Sequence, residues 1–475
     1  MQEKREFYID GQWVAPATAR DFSVIDPSTE EECAVISLGD QTDTDAAVAA
    51  ARAAFEAWSR TSKAERRALI VKLMEVYKSR AEEMAQAMSM EMGAPIELSR
   101  AQQVGAGSWH IEGFLEAFDA FEFETDFTAT EKTLREPIGV CALITPWNWP
   151  MNQIVLKTVA AMAAGCTMIL KPSEIAPLSG LLFAEFVHEA GFPKGVFNLL
   201  NGDGAGVGSQ LSAHPDVDMV SFTGSTRAGI AISKAAADTL KRVSLELGGK
   251  GANIIFEDAH PKAAKAGAIR CFRNSGQSCN APTRMLVHRS RYDAAVEMAA
   301  ETAVATHVGP ASEAGKHIGP VVSKAQFDKI QALIETGMSE ARLVAGGLGR
   351  PDGLNRGYYV KPTVFADVTN DMTIAREEIF GPVLSIIPFD TEDEAIAIAN
   401  DTPYGLTNYV QTEDDEKRRR VARQLRSGMV ETNGQGFAKG SPFGGYKQSG
   451  NGREGGVFGI EEFLEVKAVS GWAAE

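Results

Sequence analysis

The run Asn274-Ser275-Gly276-Gln277-Ser278-Cys279-Asn280 sets a thiol among small and amide-bearing residues. Such surroundings leave a sulfur accessible and supplied with hydrogen-bond donors, as a reactive thiolate requires. Cys279 is therefore the candidate nucleophile. Its rival, Cys271, falls in a helical run beside Ile269 and Phe272 and reads as packing. Glu246 ends an apolar run just ahead of a pair of glycines; partial desolvation there raises a carboxylate's pKa and suits it to act as a base near neutrality. A helix-capping or paired carboxylate is the structural alternative. Asn148, between two tryptophans, is placed to donate an amide N–H to an oxyanion, the alternative being a turn-forming Asn.

Further candidates gather where apolar runs end. Lys171-Pro172-Ser173-Glu174 puts a cation beside a turn, within reach of ribose hydroxyls. Glu174 can accept from both hydroxyls of an adenosine ribose and would repel a 2′-phosphate, which favours NAD, while Lys171 and Ser173 could bind a 2′-phosphate if Glu174 swung aside, which leaves NADP open. A surface ion pair is the plainer reading of that string. Gly224-Ser225-Thr226 opens a helix, and its free N–H groups suit a pyrophosphate. It is not a P-loop, and the glycines at 202, 204, 206 and 208 do not keep the spacing of a dinucleotide fingerprint.

These residues need a scaffold. Strand-like runs at 140–145, 167–171, 196–200, 219–223 and 242–246 alternate with helical ones at 150–164, 177–190, 205–212 and 226–239. The economical solution is an α/β fold with a parallel, Rossmann-type sheet that binds ligands at the carboxyl ends of its strands. Upstream, a helix is expected from Thr42, capped by Thr42 or Asp43. Others follow at 63–92 and 96–118, and then a hairpin pairs 121–124 with 133–136. A second alternating stretch runs from 253 to about 433, with helices near 261–273, 291–305, 323–337 and 392–400. The Arg-rich run at 413–426 reads as a solvated helix face, 441–453 as a packed loop, and 463–472 as a strand.

At 475 residues the chain exceeds one core. Hydrophobic content of 44% with 23% charged residues is that of a soluble globular enzyme. A net charge of −16 argues against nucleic acid or an anionic membrane as partner. The five cysteines form no CxxC pair and no metal spacing, which points to free thiols in a reducing compartment. Without a signal-like N-terminus or a membrane-length apolar run, the expected location is the cytoplasm.

Taken together, seven strings resemble the aldehyde dehydrogenase superfamily over nearly the whole chain. They are Pro146-Trp147-Asn148-Trp149-Pro150, Lys171-Pro172-Ser173-Glu174, Phe222-Thr223-Gly224-Ser225-Thr226, Glu246-Leu247-Gly248-Gly249-Lys250, Gly276-Gln277-Ser278-Cys279, Glu378-Ile379-Phe380-Gly381-Pro382 and Pro442-Phe443-Gly444-Gly445-Tyr446-Lys447. The resemblance implies a cofactor domain at 1–118 and 138–246, a catalytic domain at 247–450, and a small β oligomerisation element at 119–137 and 451–475. It implies a homodimer or homotetramer. It also implies oxidation of an aldehyde to its acid, through a thiohemiacetal and a thioester on Cys279, with Asn148 and the Cys279 N–H holding the oxyanion and Glu246 activating water. By the same likeness Thr145, Trp147, Lys171, Ser173, Glu174, Gly204, Ser225, Leu247, Glu378 and Phe380 contact NAD, and Lys157 and Glu454 assist proton movement.

Acylating members of the superfamily generally lack a Glu at the Glu246 position, so its presence favours hydrolysis. No basic residue beside Cys279 in its motif marks a carboxylated substrate. Trp149, Phe437 and Phe443 as pocket walls favour an apolar or aromatic aldehyde. The alternative is a cysteine-dependent acyltransferase or hydrolase without a redox step. It requires a base near the thiol, usually His, and no histidine sits in a suggestive motif.

Overall fold

A computed structural model describes residues 1–473; Ala474 and Glu475, the end of the expected 451–475 segment, lie outside the described residues. The N-terminal segment carries strands β1 (Phe7–Ile9) and β2 (Gln12–Val14), a separate small sheet of strands at Gln2–Lys4, Asp21–Asp26 and Glu31–Ser37, and helices α1 (Gln41–Ser59), α2 (Lys63–Ser79), α3 (Ala81–Met92) and α4 (Val104–Ala120). A hairpin follows, β3 (Glu124–Asp126) and β4 (Glu131–Pro137). Strand–helix alternation then gives β5 (Val140–Ile144), α5 (Pro150–Ala164), β6 (Thr167–Lys171), α6 (Leu178–Ala190), β7 (Phe197–Leu199), β8 (Met219–Thr223), α7 (Thr226–Ala236) and β9 (Arg242–Glu246).

The second half supplies β10 (Ala252–Ile255), α8 (Ala263–Phe272), β11 (Arg284–His288), α9 (Tyr292–Ala305), α10 (Lys324–Glu340), β12 (Arg342–Ala345), β13 (Thr363–Ala366) and β14 (Val383–Phe389). It closes with α11 (Glu392–Asn400), β15 (Thr407–Gln411), α12 (Asp415–Gln424), β16 (Met429–Thr432), β17 (Gly450–Asn451), α13 (Gly456–Glu462) and β18 (Leu464–Ser470).

The first sheet runs β17-β9-β8-β5-β6-β7-β1-β2. Its five central strands are parallel, and β17, β1 and β2 are antiparallel additions at the edges. Parallel strands covered on both faces must be apolar on both, and β5, β6 and β8 are buried along their whole lengths. Cys141 and Leu143 of β5 pack towards α2–α6, whereas Val140, Ala142 and Ile144 pack with α1. The chain leaves β5 for β6 and β7 on one side and later returns to β8 and β9 on the other. That reversal opens a crevice at the carboxyl ends of β5 and β8, where such sheets take ligands.

The second sheet runs β12-β13-β14-β11-β10-β15-β16, parallel except for β12. One face packs under α10, α11 and α12, the other under α8 and α9. Cys271 is fully buried in this latter core, as packing requires. A third, antiparallel sheet joins β18, β4 and β3, so the C-terminal strand pairs with the hairpin from mid-chain.

Several local expectations shift. The cap of α1 is Asp40, not Thr42 or Asp43: its carboxylate accepts from the Thr42 and Asp43 N–H groups, while Asp43 answers by accepting from the Asp40 N–H at 3.0 Å. The first hairpin strand starts at Glu124 rather than 121, because Phe121 and Phe123 are drawn into an aromatic cluster with Phe118. The stretch after β7 is not one helix. Its glycines make a π-type turn at Gly204–Gly208, capped by Asp203, before a short α-turn at Ser209–Ala213. The Arg-rich helix α12 buries only Val421, as a solvated face would.

Candidate active site

Cys279 stands in the loop between α8 and β11, at the amino end of its strand rather than the carboxyl end. The chain reaches it through three successive left-handed residues, Asn274 (φ 52°), Ser275 (φ 58°) and Gly276 (φ 74°). Only Gly fits the third position, since a Cβ there would lie 2.0 Å from the Gly381 carbonyl oxygen. The amides of the motif do not face the sulfur as its sequence implied. Asn274 Nδ2 donates to the Asn148 carbonyl at 2.9 Å, Gln277 Nε2 donates to the Asn274 carbonyl at 3.1 Å, and Gln277 Oε1 accepts from the Val322 N–H at 2.9 Å. They are a scaffold. The backbone N–H of Asn280 is the donor that serves the thiol.

Two cavities, each of about 230 Å³, meet at this sulfur. The first opens onto the crevice of the parallel sheet. Pro146, Trp147 and Asn148 after β5, Thr223, Gly224 and Ser225 after β8, and Leu247 and Gly248 after β9 form one wall. Gln326, Lys329, Glu378 and Phe380 form the other. Trp147 and Phe380 meet edge to face across it, ring centroids 5.5 Å apart. Thus Trp147, Asn148, Ser225, Leu247, Cys279, Glu378 and Phe380, drawn from five stretches of the sequence, come together around one volume.

Asn148 is buried and spends one amide N–H on the Gln277 carbonyl at 3.1 Å, leaving the other free. Glu246, at the end of β9, lines neither cavity; both carboxylate oxygens are buried with no partner among the described residues. Burial, and next the charge of Glu454, push its carboxyl well above the ordinary range, against the pull of Lys157 and Arg453. Behind it Lys157 Nζ donates to Glu454 Oε1 at 2.5 Å and to Ser221 Oγ at 3.2 Å. The Cys279 thiol is likewise raised, by burial first and then by Glu378, Glu246 and Glu454.

The remaining predicted residues do not line the first cavity; they stand at the ends of β5, β6 and β7 in the same sheet. Lys171 is buried, its Nζ donating to the Pro172 carbonyl at 2.9 Å and lying 3.4 Å from Glu174 Oε2. Ser173 is buried nearby, Gly204 opens the turn after β7, and the Thr145 hydroxyl is buried without a partner. These groups fit a dinucleotide. The orphaned hydroxyls of Thr145 and Thr223 and the exposed first turn of α7 await acceptors, and the Lys171–Glu174 pair presents a carboxylate in place of a free cation.

The second cavity lies on the far side of the thiol. Trp149 and Phe443 line it as expected, with Ala106, Asn152 and Gln153. Phe437 does not line it and is 41% exposed, because its loop turns outward. Arg270 and Arg273 also reach this wall. Sequence reading missed them, as well as Gln326 and Lys329 of α10. Lys329 Nζ donates to the Glu378 carbonyl at 2.8 Å and Gln326 Nε2 to that of Phe380 at 2.8 Å, thereby holding the segment that faces Trp147. Their spacing on one helix face was the available signal, but it names no target some fifty residues downstream.

A fold of this kind, with one cysteine between the crevice of the parallel sheet and a second cavity, is that of an oxidoreductase. The aldehyde dehydrogenase family model matches residues 13–469, and the chain belongs to that family. The 3-succinoylsemialdehyde-pyridine dehydrogenase of a Pseudomonas species is 53% identical over 475 residues, covering 99% of each chain. The crystal structure of aldehyde dehydrogenase from Bartonella henselae superposes with a TM-score of 0.99 at 59% identity, over 99% of this chain and 100% of that one. Aldehyde dehydrogenase C of Pseudomonas syringae, a cysteine-to-alanine variant in complex with NAD+ and octanal, gives a TM-score of 0.98 at 51% identity, over 99% of this chain and 97% of that one. The protein is an NAD(P)-dependent aldehyde dehydrogenase that oxidises an aldehyde to the carboxylic acid.

Proposed function

We propose that Cys279 is the nucleophile, Asn148 an oxyanion donor and Glu246 the base of this reaction. The observation that carries the reading is the position of Cys279, on the wall shared by the two cavities with Asn148 beside it. The thiol proton passes through water to the Glu246 carboxylate as the sulfur bonds to the aldehyde carbon, the carbonyl π electrons moving to oxygen. The free N–H of Asn148 Nδ2 and the Cys279 backbone N–H hold that oxygen; one such donor contributes about 3–4 kcal/mol. NAD+, bound by the Lys171–Glu174 turn, Ser225 at the start of α7 and Glu378, supplies the acceptor for the hydride. Cys279 is then a thioester. Glu246 takes a proton from water, the hydroxide adds to the acyl carbon, and the C–S bond breaks to release the acid. Lys157 and Glu454 carry the proton onward from Glu246.

The acyltransferase alternative loses its support, because among the described residues no histidine lines either cavity. The enzyme acts in the cytoplasm; free thiols and the lack, among the described residues, of any helix long and apolar enough to cross a membrane favour this. It assembles as a homodimer or homotetramer through the β3–β4–β18 sheet, with the chain divided at 118, 138, 246 and 450 into cofactor, catalytic and oligomerisation parts. The substrate is an aldehyde with an apolar or aromatic body, in line with Trp149 and Phe443 and with relatives named for octanal and a pyridine semialdehyde. The test follows NADH formation from NAD+ and an aldehyde panel, with wild type and Cys279→Ser. Wild-type turnover with none in the variant, at equal NAD+ affinity, is expected. Equal turnover by both would remove Cys279 from its role.

A further inference from the structure

The segment that carries Cys279 is tethered on both sides. On the entry side, Asn274 and Gln277 tie it to Asn148 and Val322. On the exit side, between Cys279 and β11, the Asn280 carbonyl accepts from the Tyr409 hydroxyl and, among the described residues, has no backbone donor. Tyr409 belongs to β15 and is buried on the face of the second sheet that α8 covers, while its neighbour Val410 packs into the apolar core on the other face. A buried parallel strand is normally apolar along its length, and a phenylalanine would fill this place with no hydroxyl to satisfy. The hydroxyl is also aimed. Arg270 of α8 lays its guanidinium 4.6 Å from the centre of the Tyr409 ring and pairs with the buried carboxylate of Glu431, which stands opposite Tyr409 on β16. Burial holds the phenol above its ordinary range, against the pull of Arg270, so it remains a donor. The Cys279 carbonyl, one peptide earlier, is confined by Gly249, where a Cβ would lie 2.3 Å from it.

We propose that Tyr409, aimed by Arg270 and Glu431, is a positioning residue for the nucleophile: it holds the Asn280 carbonyl so that the Asn280 N–H stays on the Cys279 sulfur. This rests on the reading of Cys279 as nucleophile. The carbonyl and the N–H of Asn280 flank one α-carbon, so only two torsions separate the group that Tyr409 holds from the group that serves the thiol. Fixing one end therefore fixes the other. The ion pair sets the guanidinium, the guanidinium caps the ring, and the ring directs its hydroxyl to the backbone beside the sulfur.

The test uses Tyr409→Phe, which keeps the ring and removes the hydroxyl alone. It is compared with wild type, Glu431→Gln, the double variant and Val421→Ala. Val421 is buried against the opposite face of the same sheet, so its truncation loses stability without touching the network. The readouts are kcat/KM for one aldehyde, NAD+ affinity by fluorescence titration, and the rate of Cys279 alkylation by iodoacetamide against pH. In Tyr409→Phe, kcat/KM should fall about five- to tenfold, the equivalent of one hydrogen bond, at unchanged NAD+ affinity. The alkylation midpoint should move to higher pH, because the Asn280 N–H no longer favours the thiolate; the carboxylates facing the thiol, Glu378, Glu246 and Glu454, are the same in every variant. Glu431→Gln should move both readouts the same way, and the double variant should lose no more than the larger single loss, as residues acting through one chain do. Val421→Ala should melt lower with both readouts unchanged. Wild-type kcat/KM and an unmoved alkylation midpoint in Tyr409→Phe, or the same changes in Val421→Ala, would reduce the network to packing and overturn the proposal. Failure of the underlying reading looks different: Cys279→Ser then turns over as wild type does.

Discussion

At the scale of single residues, burial sets the chemistry. Glu246 has no hydrogen-bond partner and is desolvated, so its carboxylate form is reached only as pH rises well past the ordinary carboxylate range. Where thioester hydrolysis limits turnover, kcat should therefore climb with pH. Glu246→Gln should flatten that profile and leave a burst of NADH followed by arrest, seen in stopped-flow absorbance. The same shift links to stability. A raised folded-state pKa gives a contribution that is full below the unfolded value of 4.5 and lost as pH rises through the folded one. At alkaline pH, Glu246→Gln should therefore melt higher than wild type. Asn148→Ala, by removing one oxyanion donor, should lower kcat about 10²- to 10³-fold with little change in NAD+ affinity, measured by steady-state kinetics and titration. The types of these residues were legible because each is unusual for its place: a carboxylate ending an apolar strand, an amide between tryptophans, a thiol in a loop. What the string around Cys279 misstated was the use of its amides, which bind carbonyls of neighbouring segments.

At the scale of elements, the nucleophile depends on a backbone path as much as on side chains. The left-handed run 274–276 turns the chain out of α8 and fits it against Gly381. Gly276→Ala combines an unfavourable φ with a collision against a carbonyl oxygen, costing about 1–3 kcal/mol for the strain alone. It should lower the melting temperature and reduce the rate at which an iodoacetamide probe modifies Cys279, read by mass spectrometry. The regular elements were legible in the sequence because buried parallel strands are short, wholly apolar runs, and β5, β6 and β8 fall where the runs do. Boundaries were less so. Asp40 displaced the expected cap because a longer-range partner, the Asp43 side chain, completed a reciprocal pair. Phe121 left the hairpin because aromatic packing outweighed strand pairing.

Over the whole molecule, the small antiparallel sheet stands out. In the single chain β18 exposes most of its length, including Val466 at 70%. An apolar side chain on an exposed, hydrogen-bonding strand is an aggregation hazard unless another copy covers it. Light scattering on the full chain should give a mass of two or four protomers. Val466→Asp should move that mass towards one, with secondary structure unchanged by circular dichroism. An unchanged mass would take β18 out of the interface.

Taken alone, the amino-acid sequence determined the class of fold and the family, and named the candidates for the reacting groups. Each of those depends on local information: the period of apolar residues, the residue types at strand ends, and strings a few residues long. Tertiary structure alone decided that Cys279 sits between two cavities and that Lys329 and Gln326 brace the Glu378 segment. The physical reason is that hydrogen-bond satisfaction is settled by neighbours distant in sequence. Whether a polar side chain is spent or available becomes visible only when the segments around it have packed.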